Sequence, residues 1–177
     1  QILLVAAVQG ESSVGESKLA NPAYTIQKAL QRPLLDGNWE GPAWKDVPVI
    51  DITHFYLPER AQHHPKAQAR ALYDDAGIYI HFRVEDQFVR AIETKYHGKV
   101  WEDACAEFFV QPLPERGYFN FEINCGGTML LSYQENPNWK GPSLRKAGEV
   151  PWKLAKKVEI FHSMPKTVEP EQIEPVT

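Results

Sequence analysis

Ile78-Tyr79-Ile80-His81-Phe82-Arg83-Val84-Glu85-Asp86 alternates without a break: Ile78, Ile80, Phe82 and Val84 take one side, Tyr79, His81, Arg83 and Glu85 the other. A period of two over this length is a strand with one buried face. Just upstream, Asp74-Asp75-Ala76-Gly77 is a turn, and Ala67, Ala69, Ala71 and Tyr73 before it keep the same period. Downstream, Ala104 to Gln111, Tyr118 to Asn124 and Thr128 to Tyr133 read as further strands, with Gly126-Gly127 as a two-residue hairpin turn between the last two. Val47, Val49, Ile50 and Ile52 predict a short strand with a slip in its middle. Turns at Asp36-Gly37-Asn38 and Gly41-Pro42 bracket Trp39 and precede Trp44, two anchors for a core edge. Between Leu57 and Lys66 the chain is a polar loop. Helical periodicity is confined to Ala20 to Leu30 and Val89 to Tyr96. Fourteen prolines and 11 glycines scattered among short strands predict an all-β fold, an antiparallel β-sandwich of jelly-roll type.

The chain has 177 residues, room for one domain with short extensions. Residues 1–23 read as an N-terminal extension and linker, 24–177 as the domain. With 43% hydrophobic and 24% charged residues it carries enough apolar material for a core. Its formal net charge of −4, without a run of like charge, gives a nucleic acid or an anionic membrane no electrostatic footing. The longest apolar run, Ile2 to Val8, is far short of the roughly 20 residues of a bilayer span. Followed by Gln9-Gly10-Glu11-Ser12-Ser13, it reads either as the end of a signal peptide's apolar region or as a first strand. Export is the expectation, with the protein secreted, periplasmic or at the cell surface. Trp152 to Phe161 supplies one more strand. The proline-broken stretch Val168 to Pro175 reads as a tail leading nowhere, so closing strands are expected beyond this chain.

Chemistry concentrates between Trp101 and Asn124. In the strand from Tyr118, Phe119, Phe121, Ile123 and Cys125 share a face, which leaves Asn120, Glu122 and Asn124 on the other. In the strand before it, Ala106, Phe108 and Val110 look inward, with Cys105, Glu107 and Gln111 opposite. Neighbouring strands of this parity line one surface with amides and carboxylates, and Trp101 stands at its entrance. That combination suits a sugar, whose C–H face stacks on an indole while its hydroxyls need fixed donors and acceptors. Arg83 adds a cation within expected reach of Glu107 or Glu122; Arg90 and Tyr96 lie in the loop leading to Trp101. Only two cysteines occur, Cys105 and Cys125. Their opposite parity disfavours a disulfide between them.

Leu35-Asp36-Gly37-Asn38-Trp39 with Pro42-Ala43-Trp44, Leu72-Tyr73-Asp74-Asp75 with Ile78-Tyr79-Ile80 and Val84-Glu85-Asp86, and Val100-Trp101-Glu102-Asp103 with Ala106-Glu107-Phe108-Phe109 together resemble the family 9 carbohydrate-binding modules. The resemblance covers roughly Tyr24 to Phe161 and implies an antiparallel sandwich that holds mono- or disaccharide ends between two tryptophans, often with structural calcium. It places the first clamp tryptophan at Trp101 and a hydrogen-bonding glutamate at Glu107. The family's arginine on the following strand falls at Glu122 here, and its second clamp tryptophan falls beyond the chain. The implied function is non-catalytic binding of a mono- or oligosaccharide in carbohydrate catabolism, with an attached or co-encoded glycoside hydrolase as partner.

Two other classes compete. Glu107 and Glu122 could serve as the paired carboxylates of a glycoside hydrolase, although no feature of the sequence buries either one to raise its pKa. His81 and Met129 could ligate a haem. His54, His63, His64, His97 and His162 lack metal-ligand spacing, and Asp36, Asp74 and Asp75 are turn formers before they are calcium ligands.

Overall fold

The computed structural model describes residues 2–7, 23–54, 63–135 and 147–176. In chain order the elements are β1 (Ile2–Ala7), β2 (Gln27–Lys28), β3 (Ile50–Ile52), β4 (Lys66–Tyr73), β5 (Ile78–Glu85), β6 (Val89–Ala91), a 3-10 turn (Val100–Glu102), β7 (Cys105–Gln111), β8 (Tyr118–Asn124), β9 (Met129–Gln134), β10 (Ala147–Glu149), α1 (Trp152–Ala155) and β11 (Val168–Gln172). They form a β-sandwich. One sheet runs β1-β7-β8-β9-β10; β4 centres the other, with β5 along one edge and β2 and β3 sharing the opposite edge; β6 and β11 make a ribbon. Pairing is antiparallel except for β1 with β7 and β2 with β4. The expected linker and the greater part of the 58–65 loop lie outside the described residues.

The alternation from Ile78 produces the expected strand, paired with β4 over its full length. The turn between them closes because Asp74 Oδ1 accepts from the Ala76 and Gly77 amides and Oδ2 accepts from the Tyr79 hydroxyl. Three expectations are corrected. Val89 to Tyr96 begins as β6 rather than a helix, since buried Val89 and Ala91 flank a half-buried Arg90 at a period of two. The described part of Ala20 to Leu30 is likewise extended, with β2 beside β4. Trp152 to Phe161 opens with the one-turn α1 instead of a strand, and its Ala155, Val158 and Ile160 cover β8 and β9.

The supposed tail is also part of the sheet structure. β11 pairs with β6, and Val176 bridges Asp86. Pro170 is tolerated because the register shifts between Val168 and Gln172, so its missing N–H falls where the ladder is already interrupted. The β8–β9 turn has three residues, not two. Asn124 and Thr128 close it, Gly127 N–H donates to Asn124 O, and Gly127 takes φ +76°, the left-handed position that such a loop needs.

Burial reverses one more expectation. Phe119, Phe121 and Ile123 are only half-buried, under the chain from Val150 to Ile160 and beside Tyr96, whereas Asn120, Glu122 and Asn124 are buried. Ala106, Phe108 and Val110 are likewise less buried than Glu107. The polar face of this sheet is therefore its more enclosed side.

On the other sheet, Trp44, Val47 and Leu72 form a second core. Beside it His81 meets the rings of Trp39 and Trp44 edge-on at 5.0 and 5.2 Å. The Arg70 guanidinium lies 4.3 Å from the Trp39 ring centre. Burial, then Arg70, hold the His81 pKa below its ordinary 6.5 against the opposing pull of Asp36. The unfolded chain binds this proton first, so the stabilisation is complete above about pH 6.5 and is lost as pH falls towards the lower folded-state value. Thermal melts between pH 7.5 and 5 are expected to show that fall, and His81→Gln to flatten it; an equal fall in the variant would assign it to other groups.

Candidate functional site

Adjacent antiparallel strands put residues of like parity side by side. Glu107 stands directly opposite Glu122 and Phe109 opposite Asn120; across the next pair, Asn120 faces Ser132 and Glu122 faces Leu130. With Gln134 these side chains line an open cleft of about 440 Å³, within the roughly 300–1,000 Å³ usual for small-molecule sites. Glu107, Asn120 and Glu122 are only 2%, 3% and 8% exposed. Trp101, 44% exposed, stands at the rim, and His97 and Gly148 complete the lining.

The floor carries its own hydrogen bonds. Asn120 Nδ2 donates to Glu122 Oε1 at 2.5 Å, Gln134 Nε2 to Ser132 Oγ at 3.2 Å, and the Cys105 thiol to Glu107 Oε1 at 3.9 Å. Burial, then Glu107, push the Cys105 thiol up to about 12, so it is a neutral donor and no nucleophile. Both cysteines are free thiols, in keeping with their parity. Asn120 Oδ1 is buried and has no hydrogen-bond partner among the described residues. Such an acceptor costs about 1–3 kcal/mol until a donor reaches it.

Trp101 owes its place to its neighbours. Val100 is fully buried beneath the 3-10 turn. On the other side, Asp103 Oδ1 accepts from Ile92 N–H at 3.0 Å, while Oδ2 accepts from Glu93 N–H at 3.0 Å and Asn124 Nδ2 at 2.8 Å. Asn124 also donates to Glu93 O and accepts from Thr128 N–H. The loop between is gathered around the Glu93 carboxylate, which accepts the amides of Thr94, Lys95 and Lys99 and is held below the ordinary glutamate pKa by them, Lys95 first.

Of the eight residues singled out from the sequence, Trp101, Glu107, Asn120 and Glu122 meet in this cleft. The other four lie elsewhere. Asn124 is buried in the Asp103 network. Arg83 sits on β5, in the other sheet from Glu107 and Glu122, with its guanidinium 3.3 Å from Glu85. Arg90 is on β6, 3.5 Å from Glu169. The Tyr96 hydroxyl donates to Val150 O, and its ring rests on Trp152.

Sequence reasoning missed Ser132 and Gln134, which parity along β9 would have found, and His97. The last has φ +62° although it is not glycine, a conformation that costs a residue with a side chain about 1–2 kcal/mol. The adjoining Gly98 was its only signal.

Among the described residues there is no group of three or more His, Cys, Asp or Glu side chains that could hold a metal ion. Asp36 and Asp74 cap their own turns instead. His81 and Met129 belong to separate sheets. No helix among the described residues is long and apolar enough to cross a membrane.

No curated protein matches the chain. Among solved structures, a candidate carbohydrate-binding protein from Bacteroides uniformis is similar at 25% identity and a TM-score of 0.64, over 85% of this chain and 66% of that one. The chain thus spans just under two thirds of that protein's length. Residues 44–174 match carbohydrate-binding family 9, a span that takes in the strands from β3 to β11 and the whole cleft. On that match, the chain belongs to carbohydrate-binding family 9.

Proposed function

We propose that this domain is a non-catalytic module that binds a saccharide in the cleft, with Trp101 stacking on the C–H face of a sugar ring and Glu107, Asn120 and Glu122 meeting its hydroxyls. The observation that carries this reading is an open indole at the rim of a cleft whose floor is buried polar side chains. An aromatic plane beside fixed acceptors complements a pyranose, which is apolar on its faces and a donor around its edge. Membership of a carbohydrate-binding family supports the same conclusion. The physiological setting that fits is an exported protein that holds carbohydrate for a glycoside hydrolase, attached or co-encoded.

A glycan array with the intact protein and Trp101→Ala tests it. Because Trp101 is largely outside the core, the variant is expected to keep its melting temperature while losing about 2 kcal/mol of binding, roughly thirtyfold in affinity. Background signal for the unaltered protein, or equal binding by the two, contradicts the proposal.

A further inference from the structure

The acceptors of the cleft floor converge on one patch. Glu107 and Glu122 stand directly opposite each other across β7 and β8, a position that brings Cβ atoms to about 4.5–5.5 Å. Asn120, two residues from Glu122 on the same face, lines the cleft and is 3% exposed. Its Nδ2 donates to Glu122 Oε1, which fixes the orientation of the amide, because turning it over would set oxygen against oxygen. Asn120 Oδ1 is therefore the atom that still awaits a donor, buried and with no hydrogen-bond partner among the described residues.

The donors of the same floor are engaged. Gln134 Nε2 donates to Ser132 Oγ, and the Cys105 thiol to Glu107 Oε1. His97, on the wall, has its Nε2 3.8 Å from Glu149 Oε2. None of the described residues lining the cleft is a lysine or an arginine. A ligand suited to this floor brings donors and positive charge. A sugar hydroxyl offers one donor and two lone pairs, whereas a protonated amine offers three donors and no lone pair to oppose a carboxylate. Hydrogen bonds from an ammonium to a carboxylate are about twice as strong as neutral ones, and the low dielectric around buried side chains strengthens them further.

We infer that the saccharide held in this cleft carries a free amine, its ammonium seated among Glu107, Glu122 and Asn120 Oδ1 while the sugar ring lies against Trp101. The inference rests on the function proposed above and names the class of ligand: an amino sugar, protonated and not acetylated. The two carboxylates alone would not select it. The buried amide oxygen beside them supplies the third acceptor for a group with three N–H bonds. The same arrangement works against an acidic sugar, whose carboxylate would be set beside two like charges.

Calorimetric titration at pH 6.5 tests it, with glucose, galactose and mannose, their 2-amino and N-acetylated 2-amino counterparts, glucuronic acid, and cellohexaose against the fully deacetylated chitosan hexasaccharide. For at least one matched pair the free amine is expected to bind about tenfold more tightly than the neutral sugar, worth about 1.4 kcal/mol. N-acetylation, which removes the charge and two of the three donors, should abolish the preference. Glu107→Gln and Glu122→Gln should each reduce the ratio of amino-sugar to neutral-sugar affinity to within about threefold; the ratio is read within one protein, so a general weakening of binding or of the fold does not imitate the result. Neutral, acetylated or acidic sugars that bind as tightly as every free amine, or a preference that survives both substitutions, overturn the inference and leave the cleft reading intact. No binding to any of these saccharides overturns both.

Discussion

Asp103→Asn is expected to lower the free energy of unfolding by about 2–4 kcal/mol and to weaken saccharide binding with it. Both carboxylate oxygens act as acceptors: Oδ1 takes the Ile92 amide, and Oδ2 takes the Glu93 amide and the Asn124 side chain. An asparagine has the same shape, but one of its two positions becomes an NH₂ donor. In either orientation it turns that donor towards a buried N–H, which leaves at least one N–H unsatisfied and sets donor against donor. Such groups cost more than an absent hydrogen bond, because no water replaces the lost partner. The site feels the change because Trp101 lies two residues upstream, on the 3-10 turn that ends at Asp103. Asn124→Ala breaks the same network from the other side, so the double variant should lose less than the two single losses combined. Denaturant melts of the three proteins measure this. A loss under 1 kcal/mol for Asp103→Asn, or full additivity, would contradict it.

How far the network could be foreseen follows from which interactions are local. A period of two is written in consecutive residues, so β4, β5, β7, β8 and β9 were legible to within a residue or two, and parity along β7 and β8 placed Glu107, Asn120 and Glu122 on one face. What covers a face depends on distant chain. Among the described residues the side holding Asn120 and Glu122 is the more buried although it opens into the cleft, and the aromatic side lies under Tyr96 and the Val150 to Ile160 segment; alternation is identical whichever face is buried. β6 and β11 were unreadable for the same reason: three residues and five residues carry too little pattern alone, and each becomes a strand by pairing with the other. Arg83 looked adjacent to Glu107 because its strand precedes β7 in sequence, but the chain changes sheets between them. His97 lies in a loop, where no periodicity operates. Its placement follows from the Met129 carbonyl and the ring of Tyr96, both invisible until the chain is folded.

Gly117→Ala is expected to be the most damaging single methyl addition in the cleft's surroundings, with a loss of upwards of about 3 kcal/mol. The residue precedes β8, and its N–H donates to the Tyr133 hydroxyl at 3.0 Å. A Cβ built there would lie 1.8 Å from the carbonyl oxygen of Gln134 and 2.7 Å from its carbonyl carbon. Backbone, unlike the tip of a flexible side chain, cannot swing aside, so β8 and the end of β9 would have to separate. That separation reaches the site directly, since the Gln134 side chain lines the cleft and donates to Ser132 Oγ. Gly77→Ala is the matched control: its Cβ would meet nothing within 4 Å, and its melting temperature should stay close to that of the unaltered protein. Equal melting temperatures for the two alanine variants would mean that the strands adjust to the methyl without cost. If instead Gly117→Ala melts lower yet still binds saccharide with unaltered affinity below its transition, Gln134 supports the sheet and takes no part in recognition.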